Sequence, residues 1–238
     1  RLDNRQRTGN PNGFAPFAQI TVIDIDDEEL RKYHIHKNYK TFKFDLKSIE
    51  EQLKPTKSHT LWRSEVSKTT SKMPEGFDQS VEVEEFNPYR AVRIAQSKFE
   101  ENSIVVSDCG ANLCWVYQSY LPDTTYLFTA GGNSPMGYSL PAAVGAQLTN
   151  PSREVYCFIG DMTAETGIAH ECIKYAINFN LPIHFVIEDN NQSVCTDTRK
   201  VWRQKKLTFE KCKNKKFITY YKYKNKYPHA GAGVRVQF

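Results

Sequence analysis

Oxygen-bearing side chains follow three strand-like apolar runs of the chain. Asp108 follows SIVVS, Asp161 follows VYCFIG, and Asp189, Asn190 and Asn191 follow IHFVIE. Carboxylate and amide oxygens are hard donors, and one of each is too few for a zinc site. They favour Mg²⁺, whose shell in proteins is usually completed by phosphates and water. The pattern therefore predicts a site for Mg²⁺ and a diphosphate where these strands end.

The residues around Asp161 suit a phosphorylated ligand. Gly160 lets the backbone approach closely, and the Thr163 hydroxyl can donate a hydrogen bond to a phosphate. A helix that begins near residue 164 would point its N-terminal amides at the same place. In the alternative interpretation, Asp161 only caps its helix and Asn190 only holds a turn. That alternative is the simpler one for either residue alone, but the two matched strand ends together favour the site.

The elements that must position these residues form an alternating pattern. Continuous apolar runs predict buried strands at 103–108, 155–161 and 181–189, and amphipathic patterns predict helices at 90–99, 139–148 and 167–179. The predicted inward residues of the last helix are Ile168, Cys172, Ile173, Ala176 and Ile177. Buried strands that alternate with such helices predict an α/β fold, a parallel sheet flanked by helices. Ligands of such sheets bind beyond the carboxyl ends of the strands.

The first third of the chain has a different pattern. A strand is expected at 19–26 and a short helix from about residue 27, because acids fill its first turn. A second helix is expected at 42–53, with Asp45 as its N-cap. Three segments result: part of a second α/β domain at 1–55, a linker with room for one helix at 56–87, and the parallel sheet at 88–238.

Composition limits the classes of protein that fit. The 238 residues are 39% hydrophobic and 25% charged, so the chain can bury a substantial core. No run approaches the roughly 20 apolar residues that a membrane span needs, and the polar start shows no signal peptide. Six cysteines occur without a CxxC pair, and several lie in apolar runs. We therefore expect reduced thiols in a cytoplasmic protein rather than a disulfide framework or a zinc site.

A basic stretch extends from Arg199 to Tyr227. It holds twelve Lys and Arg against one acid, Glu210. Such a stretch could bind nucleic acid or another anionic ligand. A solvated basic surface is the favoured interpretation, because no nucleic-acid-binding signature accompanies it. Aromatic and aliphatic residues interrupt the charges as packing positions: Phe209, Phe217, Ile218 and Tyr220.

Four blocks of the sequence resemble a known family in the order in which that family carries them. GDM, followed after 27 residues by Asn190-Asn191, resembles the thiamin diphosphate motif. The blocks at 107–115 (SDCGANLCW) and 129–147 (TAGGNSPMGYSLPAAVGAQ) resemble the acetolactate synthase group segment by segment. The block at 1–26 resembles the later half of that group's middle domain. The resemblance covers most of 1–55 and 88–198.

The resemblance implies a ligand set for Mg²⁺. Asp161 and Asn190 would ligate through side-chain oxygens and Gln192 through its backbone carbonyl. The choice between Asn190 and Asn191 stays open. The segment EDNNQSVCTDT is more similar to the E1 dehydrogenase branch, and that alignment favours Asn190.

The resemblance also implies contacts with thiamin diphosphate. Ser134 would offer its carbonyl to the aminopyrimidine, and Met136 would support the bend of the cofactor as an unbranched, polarisable prop. The residues expected to meet the diphosphate are Gly110, Ala111, Asn112, Met162 and Thr163. The third motif residue is Met162, where the family usually has glycine, so the backbone there is less free.

The implied activity is decarboxylation of a 2-oxo acid, with transfer of the remaining fragment to an acceptor. The glutamate that activates the cofactor would come from an upstream pyrimidine domain or a second subunit, so we expect a homodimer or higher oligomer and no activity from residues 1–238 alone. FAD is a weaker expectation, resting on Arg5 and the strand at 19–26. The alternatives are a non-catalytic module that binds a cofactor or partner, and a binder of an anionic sugar-nucleotide or nucleic acid through the basic stretch. Nucleic acid is not an expected partner.

Overall fold

A computed structural model describes residues 14–34, 38–48, 59–72, 97–119, 125–194, 196–212 and 216–224, together with Pro88, Val92 and Ala95. The chain divides into two compact units. The first comprises Arg1–Ser67 and Gly233–Phe238, and the second comprises Lys68–Ala232.

The first unit contains a two-stranded parallel sheet. Strand β1 (Ile20–Asp24) pairs with β2 (Tyr39–Lys43), and helix α1 (Asp27–Arg31) connects them. The predicted strand and short helix are therefore confirmed. Asp26 caps α1, because its side chain accepts a hydrogen bond from the Glu28 amide.

The helix predicted at 42–53 is wrong in its first part. Phe42 and Lys43 belong to strand β2, where Phe42 pairs with Ile23, and a 3₁₀ turn follows at Leu46–Ser48. Leu46, which follows the predicted N-cap Asp45, is exposed. Pairing with β1 overrides the helical spacing of the leucines; residues 49–53 lie outside the described residues. The segment predicted as a linker holds one helix, α2 (Thr60–Lys72).

The second unit contains a five-stranded, wholly parallel sheet. Its strands are β3 (Ser103–Ser107), β4 (Thr125–Phe128), β5 (Val155–Gly160), β6 (Ile183–Asp189) and β9 (Ile218–Lys222), in the spatial order β4-β3-β5-β6-β9. The three predicted strands are confirmed, and β4 and β9 join them as the two edges. The predicted fold class is thus confirmed.

Helices cover both faces of this sheet. The helices are α3 (Ala111–Ser119), α4 (Ser139–Thr149), the short α5 (Asp161–Ala164), α6 (Gly167–Asn178) and α7 (Thr198–Trp202). Alternate residues of β5 enter two separate cores, with Cys157 and Ile159 on the face of α4 and α6, and Tyr156 and Phe158 on the face of α3. A two-stranded antiparallel ribbon, β7 (Gln192–Ser193) with β8 (Thr196–Asp197), follows β6.

Most of the predicted helices are also confirmed. Helix α6 buries Ile173 and Ala176 as expected, but Ile168 is exposed. Residue 168 lies in the first turn of α6. The helix predicted at 90–99 lies largely outside the described residues, although Val92 and Ala95 are helical and Val92 is buried.

Two predictions from composition can be checked against the structure. No disulfide joins the five cysteines that the structure describes. No helix in the described part of the chain is both long and apolar enough to cross a membrane.

The predicted packing role of Phe209, Phe217 and Ile218 is confirmed, because all three are buried in the core that contains β9.

Candidate functional site

The strand order places a topological switch point between the ends of β3 and β5, and we call the region outside these two strand ends the crevice. Strand β4 lies on one side of β3 and β5 on the other, so the connections leave in opposite directions, the arrangement at which parallel sheets bind ligands. Asn112 spans this point, because its Nδ2 donates to the carbonyl oxygens of Asp108 at 3.1 Å and Phe158 at 3.2 Å. Its Oδ1 faces Gly110 and Gly160.

Two of the predicted diphosphate contacts surround this crevice. Gly110 has a φ of +105°, a left-handed conformation that favours glycine. A Cβ on Gly110 would lie 3.3 Å from Asn112 Oδ1, so a side chain would crowd the crevice. Ala111 is the first residue of α3. The sequence thus keeps the backbone bare where a phosphorylated ligand would approach.

Asp161 lies at the end of β5, and the chain satisfies its carboxylate only in part. The residue is 2% exposed, and its Oδ2 has no hydrogen-bond partner among the described residues. Burial raises its pKa to about 6; the nearby charge of Asp189 adds to the shift, while Thr198 and Arg199 partly offset it. Gly160, not Asp161, is the N-cap of α5. A buried carboxylate oxygen without a donor suits a cation.

Asn190 and Asn191 follow β6 and differ in the partners of their amide oxygens. Asn190 Oδ1 accepts one hydrogen bond, from the Gln192 amide at 2.8 Å. Asn191 Oδ1 accepts from both the backbone and the guanidinium of Arg199, at 3.1 and 3.0 Å. Asn190 therefore holds a turn, as the alternative interpretation predicted, but it also keeps more acceptor capacity than Asn191.

The third predicted ligand lies within reach of the same place. Gln192 begins the ribbon strand β7, and helix α5 contacts that strand. Asn191 has a φ of +58°, a left-handed turn that brings Gln192 back toward α5. Asp161, Asn190 and Gln192 are thus neighbours at the ends of β5 and β6. Among the described residues, no group of three or more His, Cys, Asp or Glu side chains could hold a metal, and the predicted set has only one carboxylate.

Asp108 organises the loop that carries the other predicted cofactor contacts. Its buried carboxylate accepts hydrogen bonds from the Gly137 amide at 2.9 Å, the Ser139 amide at 3.4 Å and the Thr163 hydroxyl at 2.7 Å. The Thr163 hydroxyl, predicted to donate to a phosphate, is thus directed at Asp108. The sequence marked Asp108 as a strand-end acid, but its donors lie 29 and 55 positions away, so its role was not predictable.

The loop held by Asp108 presents Ser134 and Met136. Ser134 adopts a left-handed conformation, with φ +43°, and its hydroxyl donates to the Gly131 carbonyl at 2.9 Å. A non-glycine residue with positive φ is uncommon outside constrained sites. Met136 is 47% exposed, so it is not a core side chain. Both features leave these residues available to a ligand.

Met162, by contrast, is largely covered by the chain itself. Its side chain is 9% exposed, and its sulfur accepts a hydrogen bond from Trp202 Nε1 at 3.3 Å. Met162 lies in the short helix α5, whose backbone follows directly from Gly160. Contact with a diphosphate would therefore come from its backbone rather than its side chain.

An ion-pair network surrounds Asp189 at the end of β6. Asp189 accepts from Arg199 Nη1 at 3.0 Å and Nη2 at 2.5 Å, and also from the Tyr220 hydroxyl. Arg199 also pairs with Glu210, which in turn pairs with Lys222 at 2.9 Å. Burial opposes ionisation of Glu210, but Lys222, the Leu207 amide and Arg199 lower its pKa to about 2. Two cations of the basic stretch thus neutralise buried acids.

The fold and the site together define a parallel α/β domain with a ligand crevice at the switch point of its sheet. Residues 108–235 match the family described as "Thiamine pyrophosphate enzyme, C-terminal TPP binding domain". The chain belongs to this family; thiamine pyrophosphate and thiamin diphosphate are the same compound. The predicted resemblance is therefore confirmed.

Individual relatives support the same assignment. The chain is 31% identical over 165 residues to acetolactate synthase isozyme 1 large subunit of Escherichia coli K12, covering 68% of this chain and 28% of that protein. It is 32% identical over 166 residues to the acetolactate synthase large subunit of Lactococcus lactis, with the same coverage. Acetolactate synthase 1, chloroplastic, of Oryza sativa is 28% identical over 199 residues, covering 80% of this chain and 30% of the relative. The chain spans less than a third of the length of these relatives.

Proposed function

We propose that the protein is a thiamin diphosphate- and Mg²⁺-dependent enzyme that decarboxylates a 2-oxo acid and transfers the remaining fragment to an acceptor, in an acetolactate synthase-like reaction. The observation that carries the proposal is the buried carboxylate of Asp161. Its Oδ2 lacks a hydrogen-bond donor among the described residues. The match of residues 108–235 to a thiamine pyrophosphate-binding domain supports a diphosphate ligand, which Mg²⁺ would link to this carboxylate.

The residues fit the absent cofactor and cation by position and by chemistry. Asp161 Oδ2, Asn190 Oδ1 and the Gln192 carbonyl would hold Mg²⁺, an oxygen set that this ion accepts. Gly110 and Gly160 carry no side chain at the ends of β3 and β5, so the backbone there can approach a diphosphate closely. Thiamin diphosphate, when bound, supplies the nucleophilic carbon that 2-oxo acids require for loss of carbon dioxide.

The chain's own residues would bind and orient the cofactor in this proposal. Asp108 fixes the loop through the Gly137 amide, so that the exposed Met136 is held near the crevice. The ion pairs of Asp189 with Arg199 fix the segment that follows β6. The activating glutamate is assigned to a pyrimidine domain or a second subunit, in a homodimer or larger assembly. Sedimentation of the full-length protein with and without cofactor tests that assembly.

Calorimetric titration tests the cofactor site. Thiamin diphosphate is added to the wild-type protein and to Asp161→Ala, each with and without Mg²⁺. We expect Mg²⁺-dependent binding to be lost in Asp161→Ala and retained in Glu101→Ala, which removes an exposed acid outside the site. Equal affinity in the wild type and Asp161→Ala would contradict the site.

Product analysis separates an enzyme from a non-catalytic module. We expect the full-length protein to release carbon dioxide from a 2-oxo acid such as pyruvate and residues 1–238 alone to release none. Cofactor binding without turnover by the full-length protein would favour the non-catalytic module. FAD is tested by the visible absorption of the purified protein; Arg5, which bears on that prediction, lies outside the described residues.

The basic stretch offers less support for an anionic ligand. Arg199 and Lys222 pair with buried acids, and Phe209, Phe217 and Ile218 fill the core. The charges that remain exposed include Lys205 and Lys206. We therefore assign the stretch to the sheet edge and its surface.

A further inference from the structure

Tyr223, one residue beyond strand β9, is attached to the end of β6 through both its backbone and its side chain. Its amide donates to the Asp189 carbonyl at 2.9 Å. Its hydroxyl accepts a hydrogen bond from Asn190 Nδ2 at 3.1 Å and another from Trp115 Nε1 at 2.9 Å. Tyr223 therefore contacts one of the proposed cation ligands, Asn190, through the nitrogen of its side-chain amide.

These hydrogen bonds fix which end of the Asn190 amide is oxygen. The Gln192 amide needs an acceptor and takes Oδ1 at 2.8 Å. The opposite end, Nδ2, has the Tyr223 hydroxyl as its acceptor. An amide oxygen has two lone pairs, so Oδ1 can accept from Gln192 and still face a cation.

The hydroxyl of Tyr223 is itself held in place by packing. Its ring packs edge-on against Trp115, with ring centroids 6.3 Å apart, and lies at a tilt against Tyr221, with centroids 6.2 Å apart. Trp115 belongs to α3, which begins directly after Gly110.

We propose that Tyr223, held by Trp115, is a positioning residue that sets the amide orientation of Asn190 and so presents Oδ1 to the cation. This inference rests on the proposed function, because it requires Asn190 to be a cation ligand. It adds a role for a residue after β9, outside the motif residues. Through Tyr223, Trp115 of α3 is connected to the proposed cation ligand Asn190. Without the Tyr223 acceptor, Nδ2 would be left unpaired in a partly buried position, and the hydrogen bond from the Gln192 amide alone would hold the orientation of the side chain.

The test measures cation binding rather than turnover. Mn²⁺ is titrated into the full-length protein with saturating thiamin diphosphate, and free Mn²⁺ is followed by electron paramagnetic resonance. We expect Tyr223→Phe to weaken Mn²⁺ binding about 10-fold, the lower end of the usual effect of removing a partner of a metal ligand. Tyr221→Phe makes the same chemical change two residues away, and we expect no change in Mn²⁺ affinity.

A second background separates amide orientation from a general structural effect. In Asn190→Asp both side-chain ends are oxygens, so the orientation no longer matters. We expect Tyr223→Phe to change Mn²⁺ affinity by less than about 2-fold in that background, against about 10-fold in the wild type. Equal losses in the two backgrounds, or no loss in the wild type, would overturn the positioning role.

Asp161→Ala distinguishes this failure from failure of the proposed function. We expect Asp161→Ala to abolish Mn²⁺ binding at the site. If Asp161→Ala binds Mn²⁺ normally, the proposed cation site and the role of Tyr223 both fail. If Asp161→Ala loses Mn²⁺ while Tyr223→Phe does not, only the role of Tyr223 fails.

Discussion

The ends of β3 and β5 each carry a buried aspartate, and the two carboxylates differ in the hydrogen-bond donors that reach them. Asp108 and Asp161 each follow a buried strand, and they are 1% and 2% exposed. Three groups of the chain donate hydrogen bonds to the Asp108 carboxylate: the Gly137 amide, the Ser139 amide and the Thr163 hydroxyl. Asp161 Oδ2 has no such donor among the described residues, and burial raises the pKa of this carboxyl to about 6.

This difference separates a structural carboxylate from one that is available to a ligand. A buried charge that the chain satisfies with its own donors fastens distant segments together. A buried charge that the chain's donors satisfy only in part destabilises the folded chain until a cation or a proton compensates it. The comparison therefore predicts opposite responses when each carboxylate is removed.

Removing the structural carboxylate should have the largest effect. Asp108→Ala would leave three buried donors without an acceptor, so we expect a loss of about 5 kcal/mol in the free energy of unfolding. Urea denaturation measures the loss. Asp108→Asn keeps one acceptor oxygen and should lose less. A loss below about 1 kcal/mol for Asp108→Ala would remove the contrast with Asp161.

Glu188 provides a second test of an uncompensated buried acid. It is 1% exposed on β6, and burial, partly offset by the Tyr221 hydroxyl, raises its pKa from 4.5 to about 8. A raised carboxyl pKa means that the folded state holds the proton more tightly. Its stabilising contribution is therefore complete below pH 4.5 and disappears as the pH rises through about 8.

We expect Glu188→Gln to flatten the dependence of unfolding free energy on pH. The wild-type contribution should fall by up to about 1.4 kcal/mol per pH unit, on the order of 5 kcal/mol in all. Denaturation at several pH values measures it, with Glu101→Gln as an exposed control. Parallel pH profiles for the wild type and Glu188→Gln would show that Glu188 is not protonated in the folded state.

The cation-free protein should become more stable when Asp161 is neutralised. Its pKa is raised from 3.8 to about 6, so its contribution is present below pH 3.8 and lost as the pH rises through 6. Asp161→Asn should therefore gain up to about 3 kcal/mol at pH 7 and nothing at pH 3.5. Mg²⁺ with thiamin diphosphate should reverse the order, because only the wild type binds them. If Asp161→Asn is less stable than the wild type at pH 7 without ligands, Asp161 is a structural carboxylate like Asp108.

The apolar patterns of the sequence predict the strands of the large sheet, because a buried strand depends on residues that are neighbours in the chain. Strands β3, β5 and β6 are continuous apolar runs, and buried strands of a parallel sheet require such runs. The strand-end positions of Asp161 and Asn190 followed directly from those runs. The contrast between Asp108 and Asp161 did not follow, because it depends on whether distant donors reach each carboxylate.

Other features were hidden by competing signals. Strand β9 lies in the basic stretch, where lysines mask the alternation that buries Ile218 on one face of the sheet and Tyr221 on the other. The wrong helix at 42–53 shows the opposite error, since helical spacing of leucines competes with pairing between β2 and β1. Tyr223 could not be predicted, because its contacts with Trp115 and Asn190 come from separate elements.

The smallest effect is expected for the exposed charges of the basic stretch. Lys205 and Lys206 are exposed, whereas Lys222 pairs with Glu210. Exposed charges beyond roughly 8 Å are already screened near 0.15 M salt. Neutralising Lys205, Lys206, Lys213, Lys215 and Lys216 to Gln should therefore change unfolding free energy by less than about 0.5 kcal/mol and leave KM unchanged. Lys222→Gln, the paired control, should lose more stability. A rise in KM that the five substitutions cause at low salt, and that added salt removes, would instead assign these lysines to capture of an anionic substrate.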